Sequence, residues 1–346
     1  MHGIWEQAAN IIAASKPYFC YLSLLIGFYA AKCFLCSLVP GPQHRSKLNL
    51  RNRTVLITGA SSGLGRELAF CFYRRGAKLI LTARSIDKLK GLCQELKSLP
   101  GVDNGNEPVY KYLDVSEPNG VVELVSVANN NKIDVLVNNA GLSMRGSCRN
   151  TTMNVHRQVM EVNYFGHVAV TSALLDYIPE DGAIVYISSL QGRIAVPFRS
   201  SYSASKHAAQ AFFDCLRTEE RFNTQILVVS AAYINTGFGH NALKTDGTPM
   251  NIDDSNQLKG FHPNYAAECI VNALVNRKTE LLCDSRGYIK FNRPRLQRDF
   301  ERIRKGLERV TGDRNVPKAK VNDFFRRSSY LLGSYVAGCL LGYTFG

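Results

Sequence analysis

The chain has 346 residues, 45% of them hydrophobic, and carries 42 Lys and Arg against 28 Asp and Glu, a formal charge of +14. That length suits one α/β core with appendages, and the composition excludes low-complexity, collagen-like and repeat classes. The basic residues are scattered, without aromatic interleaving or a zinc-finger or helix-turn-helix spacing, which argues against nucleic acid and for an anionic membrane surface as partner.

From Pro17 to Val39 the sequence is apolar except for Lys32, long enough to cross a bilayer as a helix, and it lacks the basic start and small-residue cleavage site of a secretory leader. A retained anchor is expected. The basic residues that follow it (Arg45, Lys47, Arg51, Arg53) place the remaining chain in the cytosol by the positive-inside tendency. The ten cysteines lie mostly in apolar runs and read as reduced packing residues; Cys33 and Cys36 have no partner set at zinc spacing, so no metal site is expected.

Seven strand-like runs follow, beginning at Val55, Lys78, Val109, Asp134, Ala183, Gln225 and Glu280, each separated from the next by helix-length segments. Val-, Ile- and Leu-rich runs with little alternation are what a parallel sheet covered on both faces requires, so the fold class is α/β, a Rossmann-type doubly wound sheet. Ligands of such sheets bind beyond the C-terminal ends of the strands. The first end reads Gly59-Ala60-Ser61-Ser62-Gly63-Leu64-Gly65 and opens a helical pattern, so the glycines permit a sharp turn and the free N–H groups of the helix start suit a pyrophosphate. The second ends in Arg84 with no Asp or Glu beside it, which favours a ribose 2′-phosphate and hence NADP(H), with NAD(H) the alternative; a solvated helix-start arginine is the bland reading. Asp114 and Val115 after the third, and Asn139, Ala140 and Gly141 after the fourth, suit the adenine and the nucleotide, or else form turns and helix caps.

Beyond the fifth strand the residues are chemical. Tyr202 and Lys206 lie four apart, which on a helix sets both side chains on one face, where an ammonium lowers a phenol pKa that starts near ~10. Such a phenol gives a proton to an alkoxide or takes one from an alcohol. Ser189, at the strand end thirteen positions before Tyr202, is placed to hydrogen-bond the substrate oxygen. The tail Ser328 to Gly346 is uncharged and suits either a short membrane helix or a packed terminal segment.

The run Thr58 to Gly65, the Asn138-Asn139-Ala140-Gly141 tetrad, Ser189 and the Tyr202-Ser203-Ala204-Ser205-Lys206 pentad, in this order, resemble a short-chain dehydrogenase/reductase over about Leu48 to Asp284. The resemblance implies that Asn163 supports a water-linked proton path, that Lys206 also binds the nicotinamide ribose, and that Ile234 and Thr236 contact the carboxamide and a phosphate. It also implies a homodimer. One departure stands out, Ala231-Ala232 where the family usually has Pro-Gly. The apolar segment before Leu48 and the residues after Tyr233 resemble the member 7B and 7C branch, which implies an endoplasmic-reticulum membrane enzyme acting on a lipid or other hydrophobic carbonyl. A steroid or retinoid dehydrogenase and a catalytically weak nucleotide-binding scaffold are the alternatives. The expected partition is an anchor and linker over 1–47, the catalytic domain over 48–315 and a basic, then apolar tail over 316–346.

Overall fold

The computed structural model describes residues 27–31, 46–102, 105–130, 132–219 and 224–283. All seven expected strands are present: β1 (Thr54–Thr58), β2 (Lys78–Ala83), β3 (Val109–Tyr112), β4 (Val135–Asn138), β5 (Ala183–Ser189), β6 (Gln225–Ala231) and β7 (Glu280–Cys283). They form one parallel sheet in the order β3-β2-β1-β4-β5-β6-β7. The winding reverses between β1 and β4, and a crevice opens at that point beyond the strand ends.

Helices connect the strands: α1 (Gly63–Arg74), α2 (Ile86–Lys97), α3 (Pro118–Asn130), α4 (Met153–Met160), α5 (Gly166–Leu174), α6 (Ser200–Glu219), α7 (Ser255–Leu258) and α8 (Pro263–Val275). On one face of the sheet Leu68 and Phe72 of α1, Leu89 and Leu96 of α2 and Ile270 and Leu274 of α8 cover Val55, Ile57, Val135 and Val137. On the other, Leu124 of α3, Val170 of α5 and Phe213 of α6 cover Leu56, Leu136, Ile184 and Tyr186. The alternation of strand side chains thus feeds two apolar cores from residues that are almost all fully buried, as a doubly covered sheet demands.

Arg53 and Asp134 join the N-terminal ends of β1 and β4: the guanidinium Nη1 lies 2.6 Å from Asp134 Oδ1, and its Nη2 lies 2.5 Å from Asp181. Leu48 N–H donates to the carbonyl of Val275, so the chain enters at the end of the sheet opposite the crevice. Among the described residues the free cysteines Cys71, Cys93 and Cys283 are buried, as packing residues should be, whereas Cys269 is half-buried and Cys148 and Cys215 are exposed, against that expectation. Among the described residues no helix is long and apolar enough to cross a membrane. The proposed anchor over Pro17–Val39 lies outside them except for residues 27–31, which are helical and exposed, and the tail Ser328–Gly346 lies wholly outside.

Leu56 is fully buried in a central strand, and Leu56→Ala is expected to lower stability by about 2–5 kcal/mol through lost transfer energy and a residual cavity. Urea unfolding checks this as a drop in midpoint at unchanged slope.

Candidate active site

The glycine turn between β1 and α1 is shaped by close backbone approach. Gly59 (φ +66°) and Gly63 (φ +54°) occupy the left-handed region. A Cβ at Gly65 would come within 2.5 Å of Asn139 Nδ2 and closer still to the carbonyl of Gly59. α1 has no acidic residue in its first turn and Ser62 at its N-cap is exposed, so its free N–H groups and dipole suit an anion. Leu64 turns inward and packs in the core, leaving Ser61 and Ser62 as the polar side chains of the turn.

Residues beyond the ends of β4 and β6 meet this turn. Asn139 Nδ2 donates to the carbonyls of Thr58 (2.9 Å) and Gly59 (3.1 Å), while the N–H groups of Asn139 and Ala140 donate to Thr58 Oγ1. Asn139 therefore holds the turn from beneath. Thr236, after β6, lies across Gly63, whose Cβ would sit 3.3 Å from it, and Thr236 Oγ1 accepts from Gln257 Nε2 at 3.2 Å. Ile234 is buried and bridges to Phe261. Arg84 is exposed at the end of β2 and faces Asp114 at 3.8 Å, so the two residues expected near the adenosine stand together. Val115 packs in the core against Gly166, while Gly141 is exposed at the crevice. Ala232 N–H donates to the carbonyl of Cys283 at 2.8 Å, so the Ala231-Ala232 pair continues the sheet ladder.

The chemical residues sit on β5, α6 and a π-helical turn, Glu161–Phe165, that runs into α5. Inserting a residue in this way bends the helix and turns Asn163 inward. Its amide donates to the Leu142 carbonyl (2.8 Å) and to Ser205 Oγ (2.9 Å) and accepts from Leu142 N–H (2.8 Å), tying the loop after β4 to α6. Ser189 accepts from the N–H of Gln191 at 3.1 Å and remains at the edge of the cleft. Tyr202 is nearly buried in a small apolar cluster with Met144, Val155 and Val159, with Phe238 at 6.0 Å between ring centroids and Leu142 and Leu243 packed against it.

Lys206 is buried, and its ammonium donates to the carbonyl of Ile187 at 2.8 Å while lying 5.9 Å from the Tyr202 ring centroid. The shared helix face is therefore observed. The expected acidification is not: burial pushes the Tyr202 phenol up to about 12, against the Ser189 hydroxyl and the Arg199 charge, which favour the phenolate. Burial also brings the Lys206 ammonium down to about 7. Within the chain itself desolvation outweighs the pair's attraction, because both partners lie in the same dry layer.

Several residues here escaped the sequence reading. Arg145 and Arg199 both reach Asp254 Oδ2, which joins the loops after β4 and β5 to the segment before α7. His167 of α5 is fully buried with Nδ1 3.3 Å from Asn138 Oδ1, and Asn138 Nδ2 donates to Thr171 Oγ1 at 2.8 Å. The Asn138 oxygen is the acceptor, so Nδ1 carries the proton of a neutral imidazole. Between Ser189 and Tyr202, the residues Ile194-Ala195-Val196-Pro197-Phe198 are all exposed, and Phe198 holds φ +62°, an uncommon place for a bulky residue. No pattern of period or charge marks these groups; a lone His after Asn-Tyr-Phe-Gly was the one available signal.

A family model described as short chain dehydrogenase matches residues 53–247. Dehydrogenase/reductase SDR family member 7B of Mus musculus is 44% identical over 245 residues, covering 69% of this chain and 75% of that protein. An alcohol dehydrogenase from Thermococcus sibiricus, complexed with 5-hydroxy-NADP, is similar in structure with a TM-score of 0.58 at 26% identity, over 68% of this chain and 97% of its own. A short chain dehydrogenase/reductase from Burkholderia phymatum in complex with NAD shares the fold at TM-score 0.59 and 23% identity, over 68% and 90% of the two chains.

His167 yields an acid-stability prediction. Burial and the Lys206 charge hold its pKa down to about 3, against an ordinary value of 6.5. Between these values the unfolded chain binds a proton that the folded chain refuses, so stability present above pH 6.5 is lost as pH falls toward 3. Urea midpoints measured in pH steps are expected to fall less steeply over this window for His167→Asn than for the wild type.

Proposed function

The chain belongs to the short-chain dehydrogenase/reductase family and is an oxidoreductase, and on that premise we propose that it interconverts a carbonyl and an alcohol on a hydrophobic, lipid-like substrate with NADP(H) as the preferred cofactor. The observation that carries this reading is the burial of Tyr202 and Lys206 on one helix face beside Ser189, with the half-buried Phe238 and Leu243 packed against the apolar cluster of the phenol.

The residues fit a dinucleotide. The Gly59–Gly65 turn admits close backbone approach, and the start of α1 is free of acidic side chains. Arg84 offers a guanidinium where a 2′-phosphate is to be told from a hydroxyl, with Asp114 holding that guanidinium in place. Thr236 and Ile234 close the cradle from the side of β6. When bound, the nicotinamide nucleotide supplies or accepts the hydride.

Ser189 would hold the substrate oxygen by a hydrogen bond and so fix its distance and direction. The Tyr202 hydroxyl would give its proton to that oxygen as it gains negative charge, or accept one in the reverse direction. Burial holds the phenol up near 12, so it stays protonated at neutral pH with a proton to give to the substrate oxygen. The Lys206 ammonium would stabilise the phenolate left behind and bind the nicotinamide ribose. Asn163 keeps the loop after β4 fastened to α6 and thereby keeps Tyr202 in register with the strand ends; by similarity it also supports a water-linked proton path.

We further infer a membrane-attached protein at the endoplasmic reticulum, with its catalytic unit in the cytosol and a homodimeric assembly. The apolar run Pro17–Val39 and the basic residues after it support the attachment and the orientation.

Detergent-solubilised full-length protein is expected to consume NADPH with long-chain ketones. Tyr202→Phe is expected to lower kcat by about 10²–10⁴ while leaving NADPH binding nearly unchanged; turnover at the wild-type rate in that variant would remove the phenol from the mechanism. Arg84→Ala is expected to raise the KM for NADPH about tenfold or more and to leave the KM for NADH nearly unchanged, read from initial rates with each cofactor. Equal effects on both cofactors would sink the 2′-phosphate assignment.

A further inference from the structure

Among the described residues no carboxylate meets the buried Lys206 ammonium. It donates to a neutral carbonyl, that of Ile187, and burial lowers its pKa. Among the described residues the buried carboxylates are engaged elsewhere: Asp134 pairs with Arg53 at the opposite end of the strands, and Asp254 pairs with Arg145 and Arg199. The titratable and charged groups around Lys206 are Tyr202 on its own helix, Arg199 just before that helix, Tyr186 on β5 and His167 on α5, while His156 on α4 faces Ser201. Arg199 is cationic and His167 neutral, so neither supplies negative charge.

The π-face of Tyr186 does. Its ring centroid lies 5.0 Å from Lys206 Nζ, nearer than that of Tyr202 at 5.9 Å. A ring face within ~6 Å attracts a cation through its quadrupole, and the attraction grows when water is excluded. The ring cannot swing away: Phe213 stacks on it at 4.5 Å and 19°, and His167 meets its edge at 5.3 Å and 72°. Tyr186 is fully buried, and the polar side chain beside its hydroxyl is that of Ser188. Strand alternation points Tyr186 to the α6 face while the next carbonyl, that of Ile187, receives the ammonium, so two consecutive residues of β5 hold it.

We propose that Tyr186 is a positioning residue for the proposed oxidoreductase reaction, its ring face holding the Lys206 ammonium charged and in place between two aromatic rings, beside the phenol that moves the proton. This rests on the function proposed above only for its catalytic consequence; the hold on the ammonium is a property of the folded chain. Weakening the ring quadrupole destabilises the charged form, so Lys206 loses its proton at lower pH, and the alkaline limb of ketone reduction moves down with it.

The test replaces position 186 with phenylalanine and then with mono-, di- and trifluorophenylalanine, which keep the shape and progressively drain the ring face. Full-length protein carrying lysine labelled with carbon-13 at Cε is titrated by NMR in detergent, the Lys206 signal being assigned by its loss in Lys206→Arg. Tyr186→Phe is expected to leave the titration within a few tenths of a unit of the wild type, and the trifluoro variant to lower it by about one unit. The fluorinated side chains fill nearly the same volume, so circular dichroism should show an unchanged fold, and a merely structural role would not grade with fluorine number. A Lys206 titration that stays fixed across the series overturns the proposal. A titration that moves in a protein inactive on every ketone supports it and strikes instead at the proposed reaction.

Discussion

The constraint on which the site depends is an ammonium buried with no carboxylate to meet it among the described residues. Isolated charges are costly to desolvate, and Lys206 is held by a carbonyl and by aromatic faces that soften the cost without cancelling it. Its pKa falls to about 7 as a result, which places the group near its own midpoint at physiological pH. A lysine in that state answers to small changes around it. Every element that touches it therefore matters: β5 through the Ile187 carbonyl and the Tyr186 ring, α6 through Tyr202, and α5 through a neutral His167.

The sheet sets these distances. β5 lies between β4 and β6, paired with β6 along its whole length, and carries Tyr186, Ile187 and Ser189 within four residues. A slip of one residue would exchange the two faces and remove all three groups together. The glycine turn is fixed in a comparable way, since Thr58 and Asn139 stitch β1 to β4 immediately beneath it. Loops could not hold such spacings; two adjacent parallel ladders can.

The architecture was legible because burial writes itself into sequence: the central strands, covered on both faces, are runs of Val, Ile and Leu, and all seven strands begin within one residue of the expected starts, including β3, which is largely exposed. The glycine turn, Ser189, Tyr202 and Lys206 were legible because their chemistry fixes short spacings. Asn163 and Asn139 were found for the water path and nucleotide expected beside them, whereas the structure shows their amides engaged in holding loops together. The Arg145–Asp254–Arg199 cluster was hidden because its members lie far apart in the chain and meet only in the folded state. The sign of the Tyr202 shift was missed for another reason: residue spacing reports proximity and says nothing of how dry the surroundings are.

The exposed stretch Ile194–Phe198 has a consequence for selectivity. Five greasy residues left in water beside a cleft discriminate by contact area alone, and area is a graded quantity. Each methylene that a hydrocarbon chain lays against such a surface gains about 0.8 kcal/mol, roughly a fourfold preference. Were the proposed lipid-like substrate to lie along this stretch, it would be ranked by chain length on a smooth slope, and a spectrum of homologues would be accepted where a pocket of hydrogen bonds would admit one.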